Sequence, residues 1–124
     1  MKQVITTNNA PGAIGPYSQG IIVNEMIYTS GQLPIDVKTG EMPNDISAQT
    51  KQSLENVKAI LEEAGSSMAN IIKATVFLSE MENFKAMNDV YQTFFEDDYP
   101  ARSAFEVARL PKDALVEIEV IAIK

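Results

Sequence analysis

The sequence contains no cysteine and no histidine among its 124 residues. Without cysteine, the chain can form no disulfide, bind no metal through thiolates and use no thiol nucleophile. Without histidine, it lacks the usual base for neutral pH and the commonest metal ligand, so we expect no metal site. Any catalysis must therefore use carboxylates, tyrosine, lysine, arginine, backbone groups or water.

Positive charge and long apolar segments are also scarce. The formal net charge is −7 and the pI is about 4.5, so the chain repels a phosphate backbone and we expect no nucleic-acid partner. No apolar stretch approaches the ~20 residues that span a bilayer. The N-terminal sequence MKQVITTNNAPG also lacks the apolar core of a signal peptide. These features predict a cytoplasmic protein without a membrane partner.

The composition, with 45 % hydrophobic and 22 % charged residues, is typical of one globular domain over residues 1–124. Apolar residues that alternate, or recur at helical spacing, predict a series of elements. The expected strands are residues 2–6, 20–23, 26–29, 71–78, 102–108 and 115–123, and the expected helices are residues 46–64 and the segment after Ser79. This order is typical of an α+β fold in which both amphipathic helices cover one face of a single sheet.

Capping signals mark the start of both expected helices. Asn44 or Asp45 precedes the first helix, and Gly65 stands where a helix C-terminus favours glycine. Before the second helix, Ser79 and Glu82 have the spacing of a capping box. Both helices are therefore expected to begin at a capping side chain.

The face of the sheet that the helices do not cover indicates whether the chain assembles with other subunits. In the last strand, residues 116, 118, 120 and 122 are apolar and point one way, whereas Glu117, Glu119 and Ile121 point the other way. In the strand IIKATVFL, apolar residues occupy both faces. A sheet covered on one side only, with apolar residues on the other, needs a partner subunit. We therefore expect a homo-oligomer.

Two glycine-containing turns are candidates for a binding site. In GPYSQG, Tyr17 either lies half-buried in a turn that enters a strand or places its phenol in a pocket. In the segment TSGQ, Ser30 and Gly31 either end a strand or allow a ligand to approach the backbone closely. Neither segment is decisive alone.

Polar residues in three segments are candidates for the chemistry. Arg102, after Pro100, forms either a surface salt bridge or a bidentate clamp on a substrate carboxylate. Glu117, or Glu119 two residues later, is either a solvated carboxylate on an exposed strand edge or the glutamate that orients water, and desolvation would raise its pKa. Asn88, beside the apolar stripe of the second helix, either marks the edge of that stripe or hydrogen-bonds into a pocket.

Taken in order along the chain, five segments resemble the reactive intermediate deaminase A family, also called the YjgF-like family. They are APGAIGPYSQG, YTSGQLPID, QTKQSLENVKAIL, IIKATVFL and PARSAFEVARLPKDALVEIEVIAIK. They span almost the whole chain, and the PARS…EVARLPKD…EIE ending is the most specific part. The resemblance implies a chorismate-mutase-like fold, a homotrimer and pockets between subunits. It also implies hydrolysis of 2-iminobutanoate and 2-iminopropanoate to 2-keto acids and ammonium without a cofactor.

The resemblance also implies a role for individual residues. Arg102 matches the arginine that grips the substrate carboxylate, and Glu117 matches the glutamate that orients the attacking water. Ala104 stands where the family often has a cysteine whose backbone helps to hold the ligand. The remaining positions that match pocket residues are Tyr17, Ser30, Gly31 and Asn88.

Two other functions remain open from the sequence. One is a non-catalytic module that binds small carboxylates in the same pocket. The other is a ribonuclease or translation inhibitor, an activity also attributed to relatives, which the −7 charge and the absence of histidine disfavour.

The two catalytic candidates pose a geometric problem. If residues 102–108 and 115–122 formed a simple hairpin, Arg102 would lie opposite Ile121 and Glu117 opposite Glu106, several residues apart at ~3.4 Å each. Either another strand lies between these two strands, or the pair meets across a subunit boundary.

Overall fold

One six-stranded mixed sheet and two α-helices form the computed structural model, which describes residues 1–124. The predicted α+β architecture is confirmed. The helices are α1 (Ile46–Glu63) and α2 (Phe84–Tyr91). The strands are β1 (Lys2–Ile5), β2 (Gly20–Val23), β3 (Met26–Thr29), β4 (Ile71–Leu78), β5 (Ala101–Glu106) and β6 (Val116–Ile123).

The strand order is β1-β2-β3-β6-β4-β5, and the pairing of β4 with β5 is the one parallel pairing in the sheet. The chain passes from β4 to β5 through α2, as a parallel connection requires. β6 then enters the middle of the sheet, between β3 and β4. The last two strands therefore do not form a hairpin, because β4 lies between them.

Both helices pack against one face of the sheet and enclose the core. Alternate residues of β6 point into it, and Val116, Ile118, Val120 and Ala122 are each at most 3 % exposed. The apolar stripe of α1, represented by Leu54, is fully buried against them. Burial of such a side chain contributes roughly 1.5–3 kcal/mol. The predicted direction of the last strand is therefore confirmed.

The second face of the sheet is open in the isolated chain. Tyr28 of β3 and Phe105 of β5 are 42 % and 45 % exposed on this face. Glu117 and Glu119 of β6 point to the same side. The face that the sequence predicts to meet another subunit is thus uncovered.

The capping residues that the sequence predicts for α1 are confirmed. Asp45 is the N-cap of α1, where its side chain accepts a hydrogen bond from the Ala48 N–H. Gly65, just beyond the end of α1, has a φ of +82°, which favours glycine. Neither helix is long and apolar enough to be a membrane span.

The capping box predicted from Ser79 and Glu82 is wrong. A 3₁₀ turn at Met81–Asn83 precedes α2, and the Ser79 hydroxyl is buried without a hydrogen-bond partner. The Met81 N–H instead donates to the carboxylate of Glu106, at the end of β5. A side chain distant in sequence therefore satisfies the amide that a local cap would have bound.

Candidate active site

Arg102 extends from β5 toward the helices. The strand register places it beside Ala74 of β4, which pairs with Val120 of β6, and both of these residues are buried beneath the helices. The Arg102 Nη1 donates a 2.7 Å hydrogen bond to the Asn88 side-chain oxygen on α2. Asn88 therefore accepts a hydrogen bond from the guanidinium, and its position beside the apolar stripe of α2 places its side-chain oxygen next to Arg102.

Arg102 forms no ion pair, so the surface salt bridge considered from the sequence is wrong. The ion pairs of the chain are Lys51–Glu55, Lys85–Asp89 and Arg109–Asp113. The guanidinium instead lies near two aromatic rings, with Cζ 4.8 Å from the ring centroid of Tyr91 and 5.6 Å from that of Phe84. A cation without a carboxylate partner keeps most of its N–H donors for an anion that comes from outside the chain.

An open cavity of about 450 Å³ leads to Arg102. Its six lining residues are Asn88, Tyr91, Gln92, Tyr99, Pro100 and Arg102. Burial raises the pKa of the Tyr91 phenol, and the nearby positive charge of Arg102 acts in the opposite direction. The Tyr91 ring is therefore a neutral wall of this cavity at ordinary pH.

Glu117 lies on the opposite face of the sheet. It is paired with Phe77 of β4, which is paired in turn with the exposed Phe105 of β5. Burial raises the pKa of the Glu117 carboxyl, and the negative charge of Glu119 raises it further. This direction is the one expected from the sequence for a desolvated glutamate, and it makes the carboxylate a better proton acceptor.

Gly31 lies directly against this carboxylate. Residue 32 forms an isolated bridge with Ile118, in which the Gln32 N–H donates to the Ile118 carbonyl at 2.8 Å. This bridge holds the end of the β3 segment beside Glu117. A Cβ atom on Gly31 would lie 2.6 Å from the Glu117 Oε2. The absence of a side chain at residue 31 therefore makes room for the carboxylate, as well as for a ligand.

A second open cavity, of about 880 Å³, contains Glu117 together with Tyr17, Ser30 and Gly31. Tyr17 is 53 % exposed, and the Ser30 hydroxyl donates to the Ser18 carbonyl. The loop beside the cavity is fixed by the buried Gln19 side chain. Its oxygen accepts from the Thr7 N–H, and its amide nitrogen donates to the carbonyl oxygens of Thr7, Ala10 and Pro11.

The residues proposed from the sequence thus fall into two groups on opposite faces of the sheet. Arg102 and Asn88 line the helix-side cavity, and Ala104 follows Arg102 on the same face, beside the buried Val76. The outer cavity is lined by Tyr17, Ser30, Gly31 and Glu117. One chain therefore does not bring Arg102 and Glu117 together. No group of three or more carboxylates is arranged to hold a metal ion.

The sequence did not identify Phe84 or Tyr91 as site residues. Phe84 and Tyr91 follow the apolar stripe of α2, so the sequence assigns them to the core. Their spacing around Asn88 could have indicated that they belong to the site, since residues 84, 88 and 91 share one helix face. Glu119 repeats the outward direction of Glu117 two residues later, which the alternation of β6 indicates.

Comparison with known proteins identifies the family. The family model described as Endoribonuclease L-PSP matches residues 7–124. A 2-iminobutanoate/2-iminopropanoate deaminase of Escherichia coli strain K12 is 52 % identical over 127 residues, which cover 100 % of this chain and 99 % of that protein. The RutC family protein PM1466 of Pasteurella multocida is 56 % identical over 128 residues, with the same coverage.

A solved structure agrees with this assignment. The crystal structure of Escherichia coli TdcF with bound serine matches with a TM-score of 0.96 and 50 % sequence identity, and the match covers 98 % of both chains. The chain therefore belongs to the Endoribonuclease L-PSP family, which is the YjgF-like family whose motifs its sequence carries.

Proposed function

We propose that the chain hydrolyses reactive 2-imino acids, such as 2-iminobutanoate and 2-iminopropanoate, to 2-keto acids and ammonium. The observation that carries this proposal is the pair of cavities described above. One of them holds an arginine without a carboxylate partner, and the other holds a partly desolvated glutamate. The name of the Escherichia coli relative states the same activity for that protein.

The Arg102 guanidinium suits the carboxylate group that all 2-imino acids share. Its planar fork can donate two parallel hydrogen bonds to a carboxylate, with one further donor already fixed by Asn88. Because Asn88 and the aromatic rings leave the positive charge uncompensated, the substrate carboxylate is the counter-ion of the site. The backbone at Ala104, two residues further along β5, would then lie near the imine nitrogen.

Glu117 suits the activation of water. Its ionised carboxylate accepts a hydrogen bond from a water molecule and directs the oxygen lone pair to the imine carbon. Attack forms a C–O bond while the electrons of the C=N bond move to nitrogen, and Glu117 takes the water proton. Transfer of protons to nitrogen then allows the tetrahedral carbinolamine to expel ammonia, as the C–N bond breaks and the C=O bond forms. No electrons are exchanged with a cofactor.

The site is proposed to form between subunits. Since Arg102 and Glu117 extend from opposite faces of one sheet, a second copy must supply one of them. The exposed aromatic residues Tyr28 and Phe105 give the outer face the apolar character of a subunit contact. We infer a homotrimer in which each pocket combines Arg102 and Asn88 of one subunit with Tyr17, Ser30, Gly31 and Glu117 of its neighbour.

A coupled assay tests the activity. A threonine dehydratase generates 2-iminobutanoate in the presence of semicarbazide, which competes for the imine. An active deaminase diverts the imine to 2-ketobutyrate, so semicarbazone formation slows when the chain is added. The Arg102→Ala variant, compared at equal concentration, should leave the rate at its uncatalysed value. No effect of the wild-type chain would contradict the proposed activity.

A further inference from the structure

The hydroxyl group of Tyr91 does not explain why a tyrosine occupies this position. Tyr91 is 4 % exposed, and its hydroxyl is buried without a hydrogen-bond partner. A hydroxyl that is inaccessible and unpaired can neither bind a substrate nor stabilise the fold. The part of Tyr91 in contact with Arg102 is its ring, which lies 4.8 Å from Cζ of the guanidinium.

Three residues of α2 surround the guanidinium from one helix face. Residues 84, 88 and 91 are spaced by four and then three positions, so their side chains follow one another along the helix. The Asn88 oxygen accepts from Nη1, and the rings of Phe84 and Tyr91 lie at 5.6 Å and 4.8 Å from Cζ. The guanidinium is thus held by one acceptor and two aromatic rings.

Aromatic support has a chemical advantage for an anion receptor. A carboxylate partner would fix the guanidinium but would also neutralise its charge and occupy its donors. An aromatic face attracts the cation through its quadrupole and leaves the charge and the N–H groups available. The free arginine side chain has many rotamers, so restricting it before the substrate arrives removes part of the entropic penalty of binding.

We propose that Phe84 and Tyr91 are positioning residues whose rings hold the Arg102 guanidinium in the orientation that receives the substrate carboxylate. The inference rests on the proposed function, in which Arg102 binds that carboxylate. Neither ring needs to touch the substrate, since both act through Arg102. Loss of one ring should weaken carboxylate binding by about 2- to 30-fold, the range that corresponds to one cation–π contact.

The test uses the whole chain and four variants of its aromatic residues. Tyr91→Leu and Phe84→Leu each remove one ring, and Tyr91→Phe keeps the ring but removes the hydroxyl. Phe94→Leu is the matched control, because Phe94 also packs against the core, whereas the rings that border the Arg102 guanidinium are those of Phe84 and Tyr91. Thermal unfolding of each variant measures how far the loss of core packing alone affects the fold.

The first measurement observes Arg102 without any turnover. The chain has two arginines, Arg102 and Arg109, so a ¹⁵N–¹H spectrum of arginine Nε groups contains two signals. Arg109→Lys assigns them. Ring currents should displace the Arg102 signal in the wild type, in Tyr91→Phe and in Phe94→Leu, whereas Tyr91→Leu should move it toward the position of a free arginine. An Arg102 signal that is unchanged in Tyr91→Leu would overturn the proposal.

The second measurement separates binding from chemistry. In the coupled assay, Tyr91→Leu and Phe84→Leu should raise KM by about 2- to 30-fold with a smaller change in kcat. The Tyr91→Phe variant, which keeps the ring, should have the wild-type KM. An unchanged KM in both ring-deletion variants would refute the positioning role. If the wild type shows no turnover, titration with 2-ketobutyrate still reports on Arg102 through its Nε signal. A response there that is weakened in Tyr91→Leu would support the positioning role while the proposed deaminase activity fails.

Discussion

The carboxylate of Glu117 occupies the space that a side chain on Gly31 would need. A Cβ atom at residue 31 would lie 2.6 Å from Oε2 and 2.9 Å from Cδ of Glu117, closer than real Cβ atoms approach other atoms. The contact is enforced by the bridge between Gln32 and Ile118, which fixes the two backbones side by side. The orientation of the proposed catalytic carboxylate therefore depends on a glycine in another segment.

Gly31→Ala should displace the Glu117 carboxylate without unfolding the chain. Because the carboxylate can turn away from the new methyl group, we expect a loss of about 10- to 100-fold in kcat, toward the contribution of a general base. Gly12→Ala is the control, since a Cβ atom there meets nothing within 4 Å. Steady-state kinetics of both variants check this expectation. A kcat for Gly31→Ala equal to that of Gly12→Ala would contradict the role of this contact.

Mixing two inactive variants should restore activity if the site forms between subunits. Arg102→Ala and Glu117→Gln each remove one half of every site. In a mixed trimer of either 2:1 composition, one interface combines the intact Arg102 of one variant with the intact Glu117 of the other, so trimers that carry both variants should have about a third of the wild-type sites. The variants should be co-expressed with different tags and isolated by both. Activity no higher than in the separate variants would exclude a site shared between subunits.

Removal of the Glu119 charge should shift the pH range of activity. Its negative charge contributes to the raised pKa of the Glu117 carboxyl, after burial, which is the larger cause. Since Glu117 must be ionised to accept a proton, activity should fall as the pH drops through that raised pKa. In Glu119→Gln the acid limb of the kcat profile should move to lower pH, with little change above neutrality. An acid limb at the same pH in Glu119→Gln as in the wild type would show that Glu117 does not control this limb.

Glu117→Gln should make the fold more stable at neutral and alkaline pH. The pKa of this half-buried carboxyl is raised in the folded chain, so the ionised group opposes folding at pH values above that pKa. As the pH falls through the raised pKa toward the unfolded value, protonation removes this penalty. The gain in Tm should therefore be present at pH 8 and absent near pH 4. Equal gains at both pH values would point to a cause other than charge.

We expect the purified chain to leave RNA intact despite the description of its family. The net charge of −7 repels the phosphate backbone, and no histidine is present to transfer protons at the ribose. Incubation of wild-type chain with a labelled RNA, beside Arg102→Ala from the same purification, checks this. Cleavage by both proteins that separates from the chain on fractionation would indicate a contaminant. Cleavage that follows the wild-type chain alone would contradict the expectation.

The sequence predicts the individual strands and helices of this fold better than it predicts which strands pair with each other. The alternation along residues 116–122 identifies the buried face of β6, and Asp45 identifies the start of α1, since both signals are local. The position of β4 between β5 and β6 depends on pairings between segments far apart in the chain. Local patterns do not specify such partners, so the sequence left two arrangements open.

The candidate site shows the same division. Arg102 and Glu117 are recognisable as residues, but their opposite directions follow from the register of β4 with its two neighbours. The capping box at Ser79 fails because Glu106 reaches the Met81 N–H from β5. Tyr91 is assigned to the core by its spacing, although its ring also borders the guanidinium. In each case, a contact distant in sequence changes the role that the local pattern suggests.

Because Arg102 and Glu117 point in opposite directions, the activity per chain should also depend on the protein concentration. If the pocket forms between subunits as proposed, a subunit released by dilution would retain both residues, yet it would contain no complete pocket. Turnover per chain would then decline below the dissociation constant of the assembly, by mass action. With such a pocket the protein would work at full rate only where it is abundant, and an assay far below that dissociation constant would understate its activity at higher concentrations.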